Sequence, residues 1–153
     1  MTQGPPAVPV REGLFVGGGS PRLLGSRCAR CATHHFPAHG TCPYCSSEDV
    51  EPCELSGRGT LWAWTAVTAP PPGYRGEVPF GFGVVELPEG VRIVTRLTEA
   101  DPARLEVGQA MQLVVVPLHT DEDGRPVTTF AFAPAAPGAG RGRGAVSTGG
   151  AGA

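Results

Sequence analysis

Cys28-Ala29-Arg30-Cys31-Ala32-Thr33-His34-His35-Phe36-Pro37-Ala38-His39-Gly40-Thr41-Cys42-Pro43-Tyr44-Cys45 is the stretch that decides how this chain folds. Two Cys-x-x-Cys pairs stand ten residues apart in it. Each pair fits a tight turn that points both sulfurs the same way, and two such turns packed together make a tetrahedral four-thiolate site. Zinc suits that donor set at ~2.3 Å from each sulfur; iron is the alternative, because four-thiolate sites accept both. With Cys28, Cys31, Cys42 and Cys45 all as ligands, no position stays open for water, so the metal is expected to be structural. A redox Cys-x-x-Cys normally stands alone before a helix, and neither pair here opens one. The ten-residue spacer can hold a short hairpin, with Phe36 expected to cover the metal from one side. Cys53 reads as a buried strand residue, and His34, His35 and His39 are not needed once four sulfurs satisfy the metal.

Downstream of Gly57 the apolar pattern changes to period two. Five strands are predicted: 59–67, 80–87, 91–97, 111–118 and 127–133. Pro88-Glu89-Gly90 makes the hairpin turn between the second and third. Asp101 caps a short helical turn that begins with Pro102, between the third and fourth. This order predicts a mainly β chain in which the zinc ribbon precedes a five-stranded OB-fold barrel, with an SH3-like barrel as the fold alternative. Gly81 and Gly83 suit either a sharply coiled barrel strand or a ligand approaching the backbone.

The chain has 153 residues, 23 of them Gly and 17 Pro. Sixteen of these breakers fall in the first and last 19 positions. We therefore expect a flexible segment over 1–19, the ribbon over 20–56, the barrel over 57–134 and a disordered Gly/Ala/Arg tail over 135–153. A folded part of that size buries a modest core, and a four-thiolate zinc can add on the order of 10 kcal/mol to folding. All 12 basic residues are Arg, there are 14 acidic residues, and the net charge is −2. The barrel segment alone carries −3, which opposes binding to a phosphate backbone. No apolar run approaches the ~20 residues that cross a bilayer, and Met1 to Val10 lacks the pattern of a secretory leader. A cytoplasmic location is expected, where cysteines serve as ligands or core residues rather than disulfides.

Three aromatic pairs are spaced i, i+2: Trp62/Trp64, Phe80/Phe82 and Phe130/Phe132. Each pair is expected to share one sheet face. Such aromatics can stack bases on an OB-fold, but the negative charge favours a core or a protein interface. The loop from Thr68 to Pro79 holds Tyr74 and Arg75 near its tip, and reads equally as a binding loop or a passive one. Trp62, Trp64, Tyr74, Arg75 and Phe80 are thus the candidate partner or ligand contacts. Catalytic machinery is sparse. His119 stands alone beside a turn, Glu86 and Glu89 flank a hairpin, and there is no nucleophile motif.

The arrangement from residue 20 to 134 resembles the OB-fold acyl-CoA-associated proteins with an N-terminal rubredoxin-like zinc ribbon, long grouped as a domain of unknown function. The resemblance rests on Cys28, Cys31, Cys42 and Cys45, on Gly57-Arg58-Gly59-Thr60, and on Val85-Glu86-Leu87-Pro88-Glu89-Gly90. Val107-Gly108 and Phe130-Ala131-Phe132-Ala133-Pro134 complete it. Family ribbons often place Gly directly after each cysteine pair; here Ala32 and Ser46 stand there. The resemblance implies a non-catalytic accessory subunit that stabilises a thiolase-superfamily enzyme and helps shape its acyl-CoA passage. It implies a lipid-transfer-protein-type aldolase or an acyltransferase as partner, a hotdog-fold enoyl-CoA hydratase as a second one, and steroid side-chain degradation as a setting. Arg58, Arg75 and Arg92 are then the arginines available to CoA phosphates. The alternatives are a single-stranded nucleic-acid-binding module and a self-sufficient acyl-CoA-binding protein.

Overall fold

Alternating side chains and closely spaced breakers give strands and turns almost throughout. The computed structural model describes residues 4–136, so the tail expected over 135–153 lies outside the described residues from position 137 onward. The chain runs through β1 (Val8–Pro9), β2 (Phe15–Val16), β3 (Arg22–Cys28), β4 (His34–His35) and β5 (Val50–Glu54). It continues through β6 (Arg58–Val67), β7 (Phe80–Glu86), β8 (Arg92–Leu97), a 3-10 turn (Pro102–Arg104), β9 (Ala110–Thr120) and β10 (Pro126–Pro134). The Asp101 side chain accepts from the Ala103 N–H at 2.9 Å, which is the expected cap.

β6 to β10 close into a barrel. β7 lies between β6 and β8, β9 pairs with β6, and β10 pairs antiparallel with β9 and parallel with β8. That closure is the OB-fold, and the SH3-like alternative falls away. Gly81 and Gly83 serve the coiling. A Cβ on Gly81 would run into the Glu99 carbonyl oxygen, and one on Gly83 into that of Ala63. Neighbouring backbone, not a ligand, occupies the space those glycines leave.

The ribbon is β3 with β4 and β5 on either side, all antiparallel. Residues 1–19 were expected to be a flexible lead-in, but two short pairings tie part of this segment down. Val8–Pro9 lies parallel to the start of β10, and Phe15–Val16 pairs with β3.

Ribbon and barrel share one core. Leu23 of β3 and Leu55 just after β5 are fully buried in the same cluster as Leu61, Ile93, Met111 and Phe132. Phe36 packs against this core and sets its ring perpendicular to Phe130 of β10 at 5.6 Å. Phe15 meets the same ring at 6.3 Å. Aromatic edges thus join the two parts, as their quadrupoles favour.

Candidate metal centre and exposed aromatic face

Cys28 ends β3, and the turn after it is fixed by the Cys28 N–H donating to the Thr33 carbonyl at 3.0 Å. The second knuckle mirrors it: Cys42 N–H donates to Ser47 O at 2.8 Å, and Ser46 N–H to Cys42 O at 3.0 Å. All four sulfurs lie within 4.8 Å of one another. Cys28 Sγ is 3.6 Å from Cys45 Sγ, and Cys31 Sγ 3.6 Å from Cys42 Sγ. A tetrahedron with ~2.3 Å zinc–sulfur bonds has edges of ~3.8 Å, so the spacing fits the metal. It also excludes a disulfide, whose sulfurs sit ~2.05 Å apart. The Cys31 N–H points at Cys28 Sγ at 3.5 Å, a contact that stabilises a ligating thiolate.

In the metal-free cluster the thiols are uneven. The Thr33 hydroxyl beside Cys31 draws that thiol down to about 6. The Ser47 backbone lowers Cys45, but burial and the three other sulfurs outweigh it and push Cys45 up to about 11. Zinc binding would therefore have to displace the Cys45 proton, whereas Cys31 is already poised as a thiolate. Cys53, as expected, is a strand residue, half-buried in β5, its thiol raised by burial and by nearby Glu89.

Each backbone knuckle turns left-handed at the residue after its cysteine pair. Ala32 has φ 60° and Ser46 φ 62°, a region that favours Gly. These are the two positions at which the resembling family often carries Gly.

The aromatic candidates separate. A register shift between Leu61 and Ala63 makes Trp62 an extra residue in β6. The bulge breaks the expected shared face: Trp62 turns outward and is 49% exposed, whereas Trp64 packs against the core. Arg92 of β8 lies over the Trp62 ring at 4.1 Å, and its Nε donates to Glu86 Oε2 at 2.9 Å. Tyr74 is pinned rather than free. Its hydroxyl accepts from Arg96 Nη1 at 2.6 Å and donates to Glu77 O at 3.1 Å, and its ring tilts against Phe80 at 4.9 Å. Phe80 is half-buried, under the Arg96 guanidinium at 5.0 Å. Arg75 stands exposed in the same loop.

Arg58, Arg75 and Arg92 are not brought together, because Arg58 opens β6 and Arg75 lies in the loop beyond its far end. Arg58 instead lines a cleft of about 590 Å³ where ribbon meets barrel, together with Arg22, Ser56, Glu89 and Gln112. Glu89 clasps this junction by accepting from the Ser56 N–H at 2.8 Å. Sequence reasoning named Phe82 only as half of an aromatic pair, and missed Val94, Arg92 as a stacking partner, and Arg96. Strand period pointed to Phe82 and Val94, but nothing in the sequence marks a cation that reaches across two strands. His35 is buried with both ring nitrogens unpartnered among the described residues, its ring stacked on His39 at 6.1 Å.

Fold and site together define a small β protein in which a structural zinc ribbon is built onto an OB-fold barrel. Residues 15–51 match the family described as the ChsH2 rubredoxin-like zinc ribbon domain, and residues 53–116 the ChsH2 C-terminal OB-fold domain. The chain belongs to this family, which the names of its relatives call DUF35. A DUF35 domain-containing scaffold protein of Pyrococcus furiosus is 32% identical over 114 residues, 74% of this chain and 83% of the relative. The benzoylsuccinyl-CoA thiolase subunit BbsA of Thauera aromatica is 32% identical over 115 residues, 75% of this chain and 78% of that subunit. A solved structure named Ltp2-ChsH2(DUF35) aldolase superposes with a TM-score of 0.58 at 33% identity, covering 74% of this chain and 84% of that one. Among the described residues no helix is long and apolar enough to cross a membrane.

Proposed function

We propose that this chain is an accessory subunit that binds and stabilises a thiolase-superfamily acyl-CoA enzyme. The observation that carries the reading is the likeness, over most of both chains, to a DUF35 chain whose structure is named as part of an aldolase. A relative that is itself a thiolase subunit supports the same partner class. The chemistry agrees. The four cysteines leave zinc no open position, so the metal holds the ribbon and takes no part in bond making. The partner then supplies the reacting groups. The acidic barrel opposes a nucleic-acid role.

In this reading residues 20–56 act as the ribbon, 57–134 as the barrel and 135–153 as a tail. Trp62 and Arg75 are the exposed contacts, while Trp64, Tyr74 and Phe80 hold the surface in shape. The acyl-CoA ester of a steroid side chain is the substrate we assign to the complex, and a hotdog-fold enoyl-CoA hydratase is a second partner to be tried.

Co-expression with the thiolase-superfamily proteins of the same organism tests the reading. One co-purifying complex is expected, with retro-aldol or thiolytic activity that the large subunit alone lacks. If no thiolase-superfamily protein co-elutes, the reading is wrong. A hydratase co-eluting in its place would move the chain to a different enzyme.

A further inference from the structure

Three strands, β6, β7 and β8, turn one face to solvent, and that face is apolar. In register, Ala63, Val84 and Val94 form one row, and Thr65, Phe82 and Arg96 the next. The bulged Trp62 adds its ring beside the first row. Phe82 is 40% exposed and Val94 61%, so with Trp62 three of the most exposed large apolar side chains share this patch. Clustering of this kind is unusual for a surface that only meets water, whereas isolated exposed apolar residues are not.

The charges around the patch are segregated. Arg92 and Arg96 flank it, both held by aromatic rings, Arg92 on Trp62 and Arg96 on Tyr74 and Phe80. Arg96 has no carboxylate partner among the described residues. The next row on this face holds Glu86 opposite Arg92, and the two form an ion pair at 2.9 Å. Of the remaining acids of the barrel, Glu77 lies in the loop beside Phe80 and Arg96, whereas Glu89, Glu99, Asp101, Glu106, Asp121, Glu122 and Asp123 lie in turns away from these rows. A barrel that is acidic as a whole therefore presents one basic-edged aromatic face. Trp and Arg, pre-ordered by stacking, are the residues that dominate binding energy at protein interfaces.

We infer that the outer face of β6–β8 is where the thiolase-type partner seats, and that the partner meets it with an apolar patch ringed by carboxylates. The inference rests on the accessory-subunit reading. Val94 is the probe of choice, because it is exposed and makes no core contact. The full chain, its Val94→Glu and its Val94→Arg forms are each titrated against the immobilised large subunit, with zinc content and circular dichroism checking the fold. A carboxylate at this position would be desolvated among like charges, so Val94→Glu should raise Kd by at least about a hundredfold. Val94→Arg finds complementary charge and should raise it by about tenfold or less. Both variants within about twofold of wild type would overturn the inference, since truncating or charging a central contact costs more than that. Equal or greater loss with Val94→Arg would refute the carboxylate rim. If the unaltered chain forms no complex, the accessory-subunit reading fails and takes this inference with it. A complex indifferent to Val94 removes this inference alone.

Discussion

Substituting Gly at the two left-handed knuckle positions should make the ribbon more stable, against the usual expectation for Gly. Ala32 and Ser46 hold φ of 60° and 62°, where a Cβ crowds the following carbonyl. That conformation costs a non-Gly residue roughly 1–2 kcal/mol. Gly removes the strain but frees the unfolded chain, at about 0.4–1 kcal/mol. Both side chains are exposed, and neither makes a hydrogen bond among the described residues, so no packing is lost. The balance is a gain of about 0.5–1 kcal/mol per site. In a domain of this size it raises Tm by roughly 2–4 °C. Zinc transfer to an excess of a coloured chelator reads the same quantity locally. If the strain is relieved when the knuckle opens, each variant should slow zinc loss by about two- to fivefold, and the double variant by the product. Ala29→Gly is the control. Ala29 lies in the first knuckle with ordinary φ and is exposed, so it should lose about 0.5–1 kcal/mol. If Ala32→Gly and Ser46→Gly both destabilise to the extent of Ala29→Gly, the strain argument is refuted.

Three further outcomes are expected. Cys42→Ser should lose zinc and also weaken the barrel. Leu23 and Leu55 would leave the shared core, at about 1.5–3 kcal/mol each, so hydrogen exchange should accelerate in β6 and β9 as well as in β3 and β5. Gly81→Ala should cost about 1–3 kcal/mol or more by driving a methyl into the Glu99 carbonyl, measured by urea unfolding; a neutral result would refute the close approach. Asp121 is held below its ordinary pKa first by the Arg125 backbone N–H and then by its guanidinium. Its stabilisation is therefore complete above the ordinary carboxylate value and is lost as pH falls through the lowered one. The Tm gap between wild type and Asp121→Asn should accordingly narrow on acidification, and a constant gap would refute the assignment.

Much of the fold could be read from the chain because its punctuation is local. The five barrel strands fall within two residues of their expected ends, since Gly90, Gly108 and Gly124, each with positive φ, stop or turn them. The four ligands were legible because spacing alone defines two knuckles. What escaped was long-range. Val8–Pro9 and Phe15–Val16 are too short to show any period, and only their partners in β10 and β3 make them strands. The ribbon looked like a separate unit, yet Leu23 and Leu55 pack into the barrel's core. Tyr74 read as a free loop tip because its anchor, Arg96, lies 22 residues away.

The bulge at Trp62 has a meaning beyond its own side chain. It acts as a phase shifter: residues before it point by one parity rule and residues after it by the opposite one. Leu61 and Trp64 both face inward only because one residue between them is left out of the count. Pairing that residue into the ladder instead of bulging it would leave the composition of β6 unchanged while moving Trp64 to the surface and Ala63 to the core. A barrel of unchanged composition can therefore present a different surface to its partner according to whether this one residue is bulged or paired.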